Sequence, residues 1–126
     1  MIDAARGTTL VHNDIRADNL LLTPDRVIAV DWPWATVAAP WLDLLLFLPC
    51  MRMQGGPPPW ELFAAHPLGR RADPDAVTTV LTGFVGLLLT ASRQPAPPGL
   101  PTIRPFQAAQ AEAGLEWLKV RPGMPR

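Results

Sequence analysis

Two short apolar runs around a polar turn stand out in the first third of the chain. They cover residues 20–23 and 26–30 and flank the dipeptide Pro24-Asp25. A proline followed by an aspartate is typical of a tight turn, and apolar runs on either side of it predict a β-hairpin. Asn19 and Asp31 would then lie side by side at the open end of that hairpin, because they adjoin its first and last strand residues.

Longer apolar patterns follow, and they predict helices. Residues 41–48 are apolar on nearly every side except at Asp43, which indicates a buried helix far shorter than the roughly 20 apolar residues of a membrane span. Asp73 followed by Pro74 is a typical helix start. The expected helices cover residues 41–48, 60–65, 74–92 and 103–120, with a stiff proline-rich linker at 94–101. The pattern as a whole predicts an α+β fold that is mostly helical.

Composition narrows the classes of function. The 126 residues suffice for one domain, and eleven basic residues balance eleven acidic ones, for a formal net charge of zero. That balance argues against nucleic acid as a partner and against a polybasic membrane surface. The single cysteine, Cys50, cannot form an internal disulfide, and the first ten residues lack a secretory pattern, so a cytoplasmic location is expected.

The candidate chemistry lies in the segment His-Asn-Asp-Ile-Arg-Ala-Asp-Asn at residues 12–19 and in Asp31. The segment follows a β-leaning run at 8–11 and fits the pattern His-x-Asp-apolar-x-x-x-Asn of phosphoryl-transfer loops. Such chemistry needs one carboxylate to accept the proton of an attacking hydroxyl, and oxygen ligands to hold Mg²⁺ on the phosphates of ATP. A loop residue and two hairpin ends can converge on one point, which makes Asp14 and Asn19 the candidates beside Asp31.

Residues 10–56 resemble the C-terminal lobe of the aminoglycoside phosphotransferase family, relatives of protein kinases that act on small molecules. The resemblance implies a protein-kinase-like lobe in which a short β-hairpin carries the metal-binding residues and helices follow. Residues 1–126 would form a single partial domain, with the catalytic loop, hairpin and buried helix at 8–56 and a helical subdomain at 57–126. ATP and Mg²⁺ would be the cofactors, and a small-molecule hydroxyl would accept the phosphate.

The resemblance also implies a role for five side chains. Asp14 would be the catalytic base that orients and deprotonates the substrate hydroxyl. Asn19 and Asp31 would be the Mg²⁺ ligands. His12 would support the loop rather than react, and Asp43 would tie down the backbone of the catalytic loop. The resemblance assigns no substrate-binding residues.

The chain departs from the family pattern in several places. Asn13 stands where the family commonly has glycine, and Pro33 stiffens a turn that kinases leave mobile with the glycine of Asp-Phe-Gly. Eleven residues precede His12, Gly-x-Gly occurs nowhere, and the only lysine is Lys119, so the parts that grip ATP are missing. We therefore expect the chain to be incomplete alone, with its N-terminal lobe truncated away or supplied separately.

Two other functions stay open at this point. A non-catalytic remnant, or pseudo-enzyme, would fold and pair with a partner without transferring phosphate, and the missing ATP-binding parts favour it. A metal-dependent phosphohydrolase would use His12, Asp14 and Asp31 as ligands, but only one histidine lies near these carboxylates in the sequence. Acidic residues outside the motif are few and are balanced by arginines, so aminoglycosides are one option among hydroxylated metabolites.

Overall fold

A computed structural model describes residues 3–124 and shows an α+β fold in which about 52% of the residues are helical. The strands are β1 (Thr9–Val11), β2 (Leu20–Leu22), β3 (Val27–Ala29) and β4 (Thr36–Ala38). The helices are α1 (Leu42–Met53), α2 (Pro59–Ala65), α3 (Pro67–Arg71), α4 (Pro74–Ser92) and α5 (Ile103–Lys119). The expectation of an α+β fold is confirmed.

The predicted hairpin is confirmed as the antiparallel pair β2–β3, in which Leu20 lies opposite Ala29. Its turn is held by side chains, because the Thr23 hydroxyl donates to Asp25 Oδ1 at 2.9 Å. That hydrogen bond, together with the Arg26 guanidinium, lowers the pKa of the Asp25 carboxyl. A short 3-10 turn at Ala17–Asn19 leads the chain into β2.

A second strand pair, β1–β4, positions the first helix. Strand β4 was not predicted, because three residues are too few for a clear alternating pattern. It runs antiparallel to β1, with Val11 opposite Thr36. Since β4 leads directly into α1, this pairing brings the first turn of α1 back to the residues that follow β1. The start of the 12–19 loop and Asp43 therefore meet.

The helices agree with the prediction except at two places. Helix α1 continues past the expected end at residue 48, through Pro49 to Met53. Helix α3 lies in a segment for which the sequence indicated no helix. Its first turn is capped by His66, whose Nδ1 accepts a hydrogen bond from the Leu68 N–H at 3.1 Å. Asp73 caps α4 as expected, accepting from the Asp75 N–H at 3.4 Å.

The core lies between the helices, and α4 packs along α5. Trp117 of α5 is fully buried, with its ring centroid 5.3 Å from that of Phe63. Helix α4 has the length and apolar composition to cross a membrane, a criterion that core helices also meet. Its packing here buries Val77, Leu81 and Val85, so it contributes a full face to the core.

Two helical glycines provide a matched test of how closely α4 and α5 pack. A Cβ at Gly114 would come within 2.5 Å of Val85 Cγ2, whereas a Cβ at Gly86 would meet no atom within 4 Å. Gly114→Ala is expected to lower the free energy of unfolding by about 1–2 kcal/mol, because overpacking exceeds the gain in helix propensity. Gly86→Ala is expected to raise it by about 0.5–1 kcal/mol. Urea denaturation of both variants checks the pair; equal effects would contradict the close packing.

Candidate functional site

The start of the 12–19 loop is bound by a carboxylate, that of Asp43, which lies about thirty residues further along the chain. Asp43, in the first turn of α1, accepts the His12 N–H on Oδ2 at 2.7 Å and the Asn13 N–H on Oδ1 at 2.8 Å. Each carboxylate oxygen therefore binds one of two consecutive backbone donors. The contact predicted for Asp43 is present, and it fixes the direction in which the chain leaves β1.

His12 is fully buried, and both of its ring nitrogens are occupied. Nε2 lies 2.8 Å from the Val30 carbonyl oxygen, which can only accept, so Nε2 carries the proton. Nδ1 is then free to accept the Asp14 N–H at 3.2 Å. The Trp32 ring packs against the imidazole with a centroid separation of 4.6 Å. His12 thus ties the loop to the end of β3, the supporting position predicted for it.

Asn19 links the loop to the hairpin. Its Nδ2 donates to the Asp14 carbonyl at 2.8 Å and lies 3.4 Å from Asp14 Oδ2. Its backbone carbonyl accepts the Val30 N–H at 2.9 Å. Of the three side chains predicted to converge, Asp14 and Asn19 are therefore in direct contact, while Asp31 follows Val30 in the chain. The Asp14 side chain is about 30% exposed, so its carboxylate reaches solvent.

Two residues of the site adopt the left-handed backbone conformation that favours glycine. They are Asn13, with φ 69°, and Asp31, with φ 63°. Asparagine and aspartate tolerate this region better than other non-glycine residues. The structure thus explains how asparagine can stand at position 13, where the family that the sequence resembles commonly has glycine. Left-handed residues of this kind concentrate at functional sites.

The side chains predicted to hold Mg²⁺ suit a hard cation. Because the Asn19 amide nitrogen faces Asp14, its Oδ1 is left without a hydrogen-bond partner among residues 3–124. Asp31 directly follows Val30, which is bonded to Asn19, and its carboxylate is exposed and unpaired within the same range. One amide oxygen and one carboxylate at the same end of a hairpin fit an oxygen-ligated cation.

The phosphohydrolase alternative receives no support from the geometry. Both ring nitrogens of His12 make internal hydrogen bonds, Nε2 as a protonated donor and Nδ1 as an acceptor, so neither is available to a metal. Within the described part of the chain, no three His, Cys, Asp or Glu side chains form a group that could hold a metal ion. The predicted pair of Asn19 and Asp31 is of a different kind, since it combines an amide with a carboxylate.

A cavity of about 290 Å³ opens beside Asp14. Its walls come from the 12–19 loop, from the segment before β4, and from α4 and α5. Sequence reasoning assigned none of the residues on these distant elements to the site. Trp34, whose residue type favours the core, is instead 67% exposed and lines this cavity, while Trp32 is also exposed. No local motif marks such residues, because they come together only in the folded chain.

Comparisons of the chain with protein-family models, with curated proteins and with solved structures give no match. The candidate function therefore rests on the residues of the site and on their geometry.

Proposed function

We propose that this chain is the catalytic lobe of an ATP-dependent phosphotransferase that acts on a hydroxyl of a small molecule, with the lobe architecture of protein-kinase-like enzymes. The observation that carries the proposal is the double contact of Asn19. It bonds to Asp14 through its side chain and to Val30 through its backbone, which puts the base candidate in contact with one proposed cation ligand and the backbone of the other, Asp31, next in the chain to Val30. The cavity beside Asp14 offers room for an acceptor.

In the proposed reaction, the Asp14 carboxylate accepts the proton of the acceptor hydroxyl. The hydroxyl oxygen forms a bond to the γ-phosphorus of ATP while the bond from that phosphorus to the bridging oxygen breaks, so ADP leaves. Asn19 and Asp31 would hold Mg²⁺, which neutralises phosphate charge when it is bound. His12 and Asp43 keep the Asp14 backbone in place through the hydrogen bonds described above.

The alternative of a non-catalytic lobe that pairs with a partner has one observation in its favour. Both strand pairs expose apolar side chains, among them Leu22 at 80% exposure and Leu10, Val27 and Val37. Exposed apolar surface of this kind marks an interaction site. A separately supplied nucleotide-binding lobe would also cover this apolar surface, so the surface is compatible with both functions. Cation binding at the hairpin distinguishes the phosphotransferase from the non-catalytic lobe.

Paramagnetic broadening by Mn²⁺–ATP, read by NMR on the ¹⁵N-labelled chain, tests the proposal. Mn²⁺ takes the same oxygen ligands as Mg²⁺. The backbone signals of Asn19 and Asp31 and of their neighbours are expected to broaden before any others. Asp31→Asn is expected to weaken the effect by about 10-fold or more, because it removes the only charged ligand of the pair.

Asp25→Asn is the matched control, because Asp25 is an exposed carboxylate at the opposite end of the same hairpin. This variant should leave the broadening at Asn19 unchanged. Broadening that is centred on Asp25, or that is insensitive to Asp31→Asn, would contradict the proposed cation site and would favour the non-catalytic alternative.

A further inference from the structure

The walls of the cavity beside Asp14 are mostly apolar. Apolar groups dominate them, with Trp34, Phe84 and Phe106 as the aromatic members. Asp14 is the only carboxylate among the lining residues, and Arg16 is a cation beside it. Apolar walls of this kind bind apolar ligand surface, and a few polar groups set its orientation. An acceptor with several positive charges would find no carboxylate here apart from the predicted base.

Arg16 further reduces the attraction of this cavity for cations. Its Nε lies 3.5 Å from Asp14 Oδ1 and 3.3 Å from Asp18 Oδ1, without the geometry of a hydrogen bond to either. Its guanidinium carbon lies 5.9 Å from the centroid of the Phe106 ring. The positive charge is thus held in the cavity wall between Asp14 and Phe106, where it offsets the charge of Asp14.

Gln110 is a polar residue of the cavity wall whose amide makes no hydrogen bond to other side chains or backbone of residues 3–124. It is 4% exposed, and the only fully buried side-chain atom without a partner within these residues is Arg16 Nε, so the Gln110 amide reaches the cavity. Its neighbour on α5, Gln107, accepts from Arg104 at 2.9 Å. An unpaired amide that faces a cavity is free to bond a polar group of a ligand and to set its orientation there.

A second cavity of about 500 Å³ adjoins the first, and the two share a wall. The shared residues are Asn13, Leu46, Phe84 and Leu87. Beyond this wall the lining is again apolar, with Val37 of β4 and Val80 of α4. Apolar surface therefore continues away from Asp14, so the body of an acceptor can extend past its reacting hydroxyl, and the charged residue that lines this second cavity is a cation, Arg6.

We propose that the acceptor is a neutral or anionic alcohol with an aromatic or otherwise apolar body, and that Gln110 binds a carbonyl or amide group of it. This inference rests on the proposed function, which makes the ligand a phosphate acceptor. The binding of such a compound nevertheless requires neither nucleotide nor metal. Gln110 is then a specificity-determining residue, and polyamine sugars are poor ligands of this cavity.

Binding of three small probes to the 126-residue chain tests the inference. N-Acetylphenylalaninol is a neutral aromatic alcohol with an amide, phenylalaninol is its cationic parent, and 2-deoxystreptamine is a diamine with several hydroxyls. NMR titration is expected to shift the side-chain amide signal of Gln110 with N-acetylphenylalaninol. That probe should bind about 10-fold more tightly than either amine, because it supplies the amide partner and carries no charge into the cavity.

Gln110→Leu provides two readouts that a purely structural glutamine would not give together. The variant is expected to bind N-acetylphenylalaninol about 10-fold more weakly. It is also expected to melt at a temperature no lower than that of the parent chain, because the replaced amide makes no hydrogen bond within residues 3–124 that would be lost. Gln94→Leu, in the exposed linker before α5, is the control and should alter neither readout.

Several results would overturn the inference. One is binding of 2-deoxystreptamine as tight as that of N-acetylphenylalaninol, and another is unchanged affinity in Gln110→Leu. Absence of any shift at Gln110 with N-acetylphenylalaninol up to about 10 mM would have the same meaning, since a weak fragment still binds in that range. If Mn²⁺–ATP gives no broadening at Asn19 and Asp31 but N-acetylphenylalaninol binds as expected, the phosphotransferase is rejected. The proposed class of ligand for the cavity is then retained.

Discussion

Replacing Asp14 with asparagine is expected to lower the turnover of phosphate transfer by about 10³-fold. The amide cannot accept the proton of the acceptor hydroxyl, so the attacking oxygen keeps its proton until late in the reaction. The backbone contacts of residue 14 with His12 and Asn19 use its N–H and carbonyl, and these remain in the variant. The loop should therefore keep its shape, and binding of Mg–ATP should change little.

The measurement is transfer of labelled phosphate from ATP to the acceptor, in a preparation that is active, whether this chain alone or together with a separately supplied nucleotide-binding lobe. Asp18→Asn is the matched control, because Asp18 lies in the same loop, also approaches Arg16, and is 66% exposed. It should leave turnover within about 10-fold of the parent value, since it touches no reacting group. Unimpaired turnover in Asp14→Asn would reject Asp14 as the base.

Asp43→Asn is expected to lower the free energy of unfolding by about 2–4 kcal/mol. The carboxylate accepts two consecutive backbone N–H groups, and an asparagine offers only one oxygen while turning its NH₂ group toward the other donor. One backbone donor at the start of the 12–19 loop then stays unpaired, and the remaining hydrogen bond loses its charge. Chemical denaturation of the purified chain gives the change directly.

Asp75→Asn separates this effect from that of the helix dipole. Asp75 is the second residue of α4, as Asp43 is of α1, so each carboxylate lies near the positive end of its helix. Asp75 accepts no loop donor, and its replacement should lower the free energy of unfolding by about 0.3–1 kcal/mol. Equal losses in the two variants would mean that Asp43 acts only through the helix dipole.

The local part of the site could be predicted from the sequence. The hairpin followed from a proline-aspartate turn between two apolar runs, and its pairing brings Asn19 beside Val30 without any distant contact. The start of α4 followed from Asp73 and Pro74 for the same reason, since capping involves only neighbouring residues. Features that depend only on residues within about ten positions of one another could thus be predicted from the sequence.

The cavity beside Asp14 could not be predicted, because it depends on contacts between distant segments. Gln110 and Phe106 lie on α5, roughly ninety residues after Asp14, and only the packing of α5 on α4 brings them to the cavity. In the sequence, Gln110 is one polar residue in an amphipathic helix, and nothing distinguishes it from a solvated one. Strand β4 was missed for a related reason, since its three residues become a strand only by pairing with β1.

The hairpin that carries Asn19 and Asp31 has two strands of three residues each, and most of its apolar side chains are exposed. An isolated pair of this kind is only marginally stable in water. A ligand that bridges Asn19 and Asp31 needs both strands aligned at the open end of the hairpin, so its binding would be coupled to the folding of that element. Opening of the hairpin and release of a cation bound between these two side chains would then form one linked equilibrium, in which each event makes the other easier.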